Sequence, residues 1–506
     1  MGDFDVVIAG GGPVGLWLAA ELRRADVRVV VLEKRAERVP YSKAMTMYPR
    51  TIEMFAMRGV AERFLAEGRP LPSSHFAILS NRLDFSFLET RYPFTLFLPQ
   101  RRTEELLEEQ LAELGVPLLR SHEVTGVRQI PDETHPSGVA ADVRTPSGPA
   151  VFSGSYLVGC DGAGSVVRRA AGIGFDGTPS TWYTIMGDVE MSDPPSGPAL
   201  TLSTRAGSLF MLPVGGSRWR IATVDYATLH AAPEGPVSFG DLRATALRLA
   251  GTDFGMRETP DAWLSRVGSE TRQAAAYRAG RVFLAGDAAH IHFPAGGQGL
   301  NLGLQDAANL AWKLSLAVHG RDPSWLLDSY EAERIPVGLE VIEDSLAQCG
   351  LFANPSREGV ALRDRFNRML GENQSLSRSL AVRLSGLGIR YAPAGGAADP
   401  RGAGSCASPL AGRRVPDLDL RDAPAQSVYG LLRPGKFVLL GLPAVPAPLD
   451  IAKYSDNLEI VTAEFAGNHP EWADVRAMLI RPDGYLAWAL RESDPVSDPP
   501  LAAWLG

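Results

Sequence analysis

The chain has 506 residues, 45% hydrophobic and 21% charged, a balance that excludes intrinsic disorder and fibrous repeats. Its length implies roughly two to four domains or a discontinuous arrangement, enough to bury a large ligand. Fifty Lys and Arg against 58 Asp and Glu leave a net charge of -8, which disfavours phosphate backbones and anionic membrane surfaces as partners.

The opening Met1-Gly2-Asp3-Phe4-Asp5 lacks a basic stretch, and no run of about eighteen apolar residues occurs, so neither export nor membrane insertion is expected. Cys160, Cys349 and Cys406 form no CxxC pair and fit a reducing cytoplasm.

Val6-Val7-Ile8-Ala9 reads as a buried strand, Gly10-Gly11-Gly12-Pro13-Val14-Gly15 as a tight turn, and Leu16 to Arg24 as an apolar-faced helix. A second strand, Arg28 to Leu32, ends at Glu33 and Lys34, at the distance from the glycines that a dinucleotide fingerprint requires. Gly10 permits the turn, Gly12 lets a pyrophosphate approach, Gly15 lets helix and strand pack, and Glu33 is placed to accept from a ribose diol. The fingerprint does not separate FAD from NAD.

Farther along come Ser42-Lys43-Ala44, Pro49-Arg50-Thr51-Ile52-Glu53 and Leu98-Pro99-Gln100-Arg101-Arg102-Thr103-Glu104. Tyr156 to Cys160 is an apolar strand that enters the turn Asp161-Gly162-Ala163-Gly164 and a helix carrying Arg168. Val282-Phe283-Leu284-Ala285-Gly286-Asp287 repeats the strand-to-turn pattern and leads to Phe293-Pro294-Ala295-Gly296-Gly297-Gln298-Gly299-Leu300-Asn301. Asp306-Ala307-Ala308 and Tyr330-Glu331-Ala332-Glu333-Arg334 follow on helical stretches.

In these residues the chain resembles the para-hydroxybenzoate hydroxylase family of FAD aromatic monooxygenases, especially the aromatic polyketide hydroxylase and rifampicin monooxygenase branch. Leu410 to Asp417 and Arg481-Pro482-Asp483-Gly484-Tyr485 resemble that branch's C-terminal thioredoxin-like domain, which without CxxC has no dithiol chemistry. The implied class is α/β. A discontinuous Rossmann-like FAD-binding domain would comprise 1–72, 100–180 and 268–395. A β-sheet substrate domain would comprise 73–99 and 181–267, and the C-terminal α/β domain 396–506.

The resemblance implies non-covalent FAD, NADPH or NADH as a transient co-substrate, O2, and oxygen transfer from a flavin C4a-hydroperoxide to an aromatic ring. It places the cofactor against Gly10, Gly12, Pro13, Val14, Gly15, Glu33, Lys34, Lys43, Gln100, Val124, Asp161, Gly162, Asp287, Pro294, Gly299, Leu300 and Asn301. At Lys43 family members often carry Arg, and Lys supplies a point charge in place of a planar fork. Asp287 is expected on the ribityl hydroxyls, or else as an ordinary helix N-cap. Arg168 is a candidate for NAD(P)H, or else a surface residue on a helix.

Met45, Met47, Phe94, Phe97, Met186, Phe210, Trp219, Phe293 and Pro294 are candidates for an apolar substrate pocket. No catalytic side chain is assigned, since the flavin performs the chemistry. His290 and His292 stand two apart, but no third ligand completes a metal set, and none is expected. Baeyer–Villiger insertion and a non-catalytic aromatic-ligand carrier stay open as alternatives, whereas halogenation is disfavoured because Ser217 to Ala222 lacks the WxWxIP element. A small aromatic substrate and a monomer or homodimer complete the expectation.

Overall fold

The computed structural model describes residues 4–130, 138–197, 199–231, 235–260, 262–391, 409–441, 454–467, 469–494 and 498–506. Cys406 and the expected boundary at 396 lie outside them.

Strand β1 (Val6–Ala9) and strand β2 (Val29–Glu33) are buried at every position, as unbroken β-branched runs must be when both faces of a parallel sheet are covered. Helix α1 (Pro13–Arg24) joins them, one turn longer than the periodicity alone predicts, because Pro at its first position has no N–H to lose. The sheet continues in parallel through Tyr156–Gly159 and Val282–Leu284 on one side and Leu118–Arg120 on the other. Arg278–Ala279 closes one edge antiparallel. Strands far apart in sequence therefore end side by side, which brings three turns to one edge of the sheet.

A second, antiparallel sheet runs in the order Leu200–Ser203, Gly207–Gly215, Arg218–Asp225 and Tyr183–Met191, with Met256–Arg257 and Trp263–Gly268 pairing to the last. Its faces are sorted by the period-two alternation of strands. Ile185, Val189, Leu209, Met211, Trp219 and Ile221 pack under the helix Phe239–Ala250 through Leu242, Ala246 and Leu249. The opposite parity faces the first sheet.

The C-terminal part has a four-stranded sheet ordered Leu458–Thr462, Phe437–Gly441, Val475–Ile480 and Leu486–Arg491. It docks on the helices Gly299–Val318 and Asp328–Phe352 through a buried charge cluster. Arg481 is bidentate to Glu333 at 2.8 and 3.0 Å, Lys313 reaches the same carboxylate at 2.8 Å, and Asp483 receives Arg481 and the Trp312 indole. Arg50 donates to the Asp483 carbonyl, and Arg414 reaches Glu53 at 2.9 Å. Among the described residues, no helix is long and apolar enough to cross a membrane.

Candidate functional site

Between the carboxyl ends of the parallel strands and the free face of the second sheet lies a cavity of about 940 Å³. At one end stand Glu33, Lys34 and Val124; along its length come Gly10, Gly12, Pro13, Val14, Lys43, Gln100, Asp161, Gly162 and Asp287. Pro294, Gly299 and Leu300 follow, and then an apolar compartment with Met45, Phe97, Met186, Phe210 and Phe293.

The glycine turn is fixed by its own backbone. Gly10 has φ +111°, and a Cβ there would stand 2.2 Å from the Cys160 carbonyl oxygen; a Cβ on Gly15 would stand 2.1 Å from that of Gly10. Gly15 thus serves helix packing and does not line the cavity. At Gly12 a Cβ would meet nothing within 4 Å, so the space over the α1 N-terminus belongs to the cavity. No side chain caps α1, and its first N–H groups face that space. The Glu33 carboxylate is oriented by the Gly11 N–H at 2.8 Å and the Arg35 N–H at 2.9 Å.

Asp161 accepts at one oxygen from the Val166 and Val167 N–H groups, at 2.7 and 3.1 Å, while its other oxygen is buried without a partner. Asp287 is exposed on the turn Gly286–Ala288 and caps no helix, since the N-caps there are Ala285 and Gln298. Behind it, Asp306 is fully buried and accepts from Gly286 N–H (3.1 Å), His290 Nε2 (2.6 Å) and Arg334 Nε (2.7 Å). Burial opposes its charge, but Arg334 and His290 hold the carboxyl below its ordinary range.

The helix Gly299–Val318 opens into the cavity with no side-chain cap, so its N-terminal dipole and free N–H groups favour negative charge there. Asn301 does not line the cavity. Its side chain is saturated, donating to the Thr46 and Gly297 carbonyls and accepting from Tyr48 N–H and the Thr51 hydroxyl. Gln100 accepts from Ala44 N–H at 3.1 Å, and Arg220, paired with Asp188, donates to the Ser42 and Lys43 carbonyls. The loop that carries Lys43 is thereby anchored by the helix Gln100–Glu113 and by the second sheet.

Three pocket candidates lie elsewhere. Met47 is buried in the main core, Phe94 packs on that core's rim, and Trp219 sits under the helix Phe239–Ala250 because its strand parity is opposite to that of Phe210 and Met186. Arg168 is neither at the cavity nor on the surface. It donates to the Ala288 and Ala163 carbonyls at 2.8 and 2.9 Å and covers the Phe175 ring, joining the two Gly-Asp/Asp-Gly turns. His290 and His292 face Asp306 and the Phe293 carbonyl, and no cluster of ligand residues for a metal exists among the described residues.

Sequence reasoning missed Tyr48, Ser74, His75, Arg82 and Arg220, all lining the cavity. For Arg220 the signal was parity, since it shares a strand face with Ala222 and Val224.

These elements define a protein that binds a dinucleotide at the carboxyl edge of a parallel sheet and keeps an apolar chamber beside it. Unpartnered polar atoms on Asp161, Thr95 and His292 in the wall fit a large, many-oxygened ligand. Residues 3–345 match a family described as FAD binding domain, and 408–506 one described as aromatic-ring hydroxylase, C-terminal. The chain is 41% identical to the 12-dehydrotetracycline 5-monooxygenase/anhydrotetracycline 6-monooxygenase of Streptomyces rimosus, over 99% of both chains. It is 36% identical to a rifampicin monooxygenase of Streptomyces venezuelae, again over 99% of both. The solved OxyS anhydrotetracycline hydroxylase of Streptomyces rimosus superposes with a TM-score of 0.87 at 40% identity, covering 99% of each chain. The chain belongs to the FAD-dependent aromatic-ring hydroxylases. FAD is its cofactor, and it is a monooxygenase of aromatic compounds.

Proposed function

We propose that the substrate is a polycyclic phenol of polyketide type, held in the chamber lined by Met45, Phe97, Met186, Phe210 and Phe293. The observation that carries this reading is continuity: one cavity joins the Gly10–Gly15 turn to an apolar chamber large enough for fused rings. The names of the tetracycline and rifampicin relatives support the same class. Bound FAD would supply electron transfer from NADPH or NADH and activation of O2.

The chain's own part is binding and exclusion. Glu33 would accept from the adenosine ribose, the α1 N-terminus would face the pyrophosphate, and Asp287 would take the ribityl hydroxyls. The dipole of the helix Gly299–Val318 would stabilise negative charge on the ring system, and the aromatic walls would keep water out. Residues 1–72, 100–180 and 268–395 would form the FAD-binding domain, and 73–99 with 181–267 the substrate domain. The segment 396–506 would be a thioredoxin-like domain with a structural role, consistent with the parallel and antiparallel pairing of its four strands.

Asp287→Ala should lower the flavin content of purified protein at least tenfold relative to wild type under equal dialysis. Unchanged yellow colour and affinity would remove Asp287 from the site. With naphthoquinones and polycyclic phenols, wild type should consume NADPH and give a product heavier by one oxygen atom. Flavin-loaded protein that oxygenates none of them would overturn the substrate assignment.

A further inference from the structure

The hairpin Ser73–Ser74 with Leu83–Asp84 pairs Ser73 with Asp84 and Ser74 with Leu83, so the next step inward sets His75 across from Arg82. Both residues line the chamber. Arg82 donates through Nε to the Ser73 hydroxyl at 2.9 Å and through Nη2 to the Ser73 carbonyl at 3.4 Å. Among the described residues no carboxylate pairs with it.

The His75 ring lies against Phe210, with centroids 4.7 Å apart, and its Nδ1 is buried without a partner. Protonating both nitrogens would strand an N–H in apolar surroundings, and burial together with the Arg82 charge pushes the ring down to about 4. An orphan lone pair costs less than an orphan N–H, so Nδ1 is bare and Nε2 carries the hydrogen. Tyr48, whose phenol burial pushes up to about 12, donates to the Gly296 carbonyl at 2.6 Å and meets Ser74 Oγ at 3.3 Å. That bond ties the hairpin to the Pro294–Gly299 turn.

The loop is held in place. Ala77 and Ile78 have φ of +50° and +54°, a costly conformation for a β-branched residue, and it is fastened by Gln348 to Ala77 N–H at 3.0 Å and Ser203 to the Ile78 carbonyl at 3.3 Å. Beside Phe210 the wall thus offers two donors, one of them a charge that no carboxylate among the described residues pairs.

We propose that Arg82 and His75 clamp a ring oxygen of the aromatic substrate as its phenolate or enolate, with the ring against Phe210 and the oxygen beside the Pro294–Gly299 turn. This rests on the reading of the chamber as the substrate site, and it narrows the substrate to acidic phenols or enolised ketones. The phenol O–H breaks on binding and its proton leaves to solvent, so no base in the chain is required. The electron-rich ring is thereby prepared for oxygen transfer.

The test uses FAD-loaded protein and 1,8-dihydroxyanthraquinone, whose ionised form absorbs at longer wavelength than flavin. At a pH about one unit below the free probe's pKa, the bound probe should show the phenolate band. Arg82→Met should bind it about tenfold more weakly and in the neutral form, while Arg82→Lys should keep the band. His75→Phe, which retains the contact with Phe210, should weaken binding without restoring the neutral band. Flavin content reports folding of each variant. A neutral bound probe in wild type, an unchanged band in Arg82→Met, or no binding would overturn the clamp. Oxygenated product without a phenolate band would sink the clamp and leave the oxygenation reading standing; a phenolate band without any product would do the reverse.

Discussion

Asp306 and Arg334 are each fully buried, and a buried pair costs most when one partner is lost. Asp306→Asn would leave the Arg334 guanidinium uncompensated, and we expect a loss of about 3–5 kcal/mol in denaturant unfolding at neutral pH. Its folded carboxyl titrates below the ordinary value of 3.8, so the stabilisation is complete above that value and is lost as acid carries the pH through the lowered one. A midpoint unchanged from wild type would refute this account. Residue identities at the glycine turns were legible because a forced φ or a blocked Cβ leaves only glycine. Side chains whose role depends on long-range neighbours were not: Arg168, read as a contact for NAD(P)H or a surface residue, is consumed by the Ala288 and Ala163 carbonyls, and the Asn301 side chain is held by Thr46 and Tyr48, which leaves its expected backbone contact with the cofactor untouched.

At the level of elements, alternation along Leu209 to Leu212 and Trp219 to Val224 marks these stretches as sheet, and its parity decides which side chains reach the cavity. Register pairs Met186 with Ala222 and Phe210 with Ala222, and Trp219 with Val189, which sorts them to opposite faces. The segment 181–267, read as sheet, also contains the helix Phe239–Ala250, announced by the Ser238 and Asp241 capping box and closed by Gly251 at φ +72°. The first turn allows a contrast. Gly10→Val collides with the backbone of the neighbouring strand and should yield little folded protein, whereas Gly12→Val should fold, since its Cβ meets open space, yet lose FAD. Circular dichroism and flavin absorbance separate the two, and a Gly12→Val protein with full FAD would remove the pyrophosphate assignment.

Over the whole molecule, the parallel sheet and its three converging turns could be read from short motifs, because each motif is local. The docking of the C-terminal part could not, because Arg481 and Glu333 lie 148 residues apart and only folding makes them partners. A chain ending at 391 would uncover Lys313, Glu333, Arg50 and Glu53 from a site where they are now dry. We expect such a truncation to aggregate or to lose FAD on dialysis; a monodisperse, yellow fragment would show that the docking is dispensable.

The same seam governs recombination. Because its two sides are matched by charge and by a bidentate fork, a transplanted tail must bring equivalents of Arg414, Arg481 and Asp483 to meet Arg50, Glu53, Lys313 and Glu333. Shuffled hybrids must carry Arg50, Glu53, Lys313, Glu333, Arg414, Arg481 and Asp483 as one heritable block.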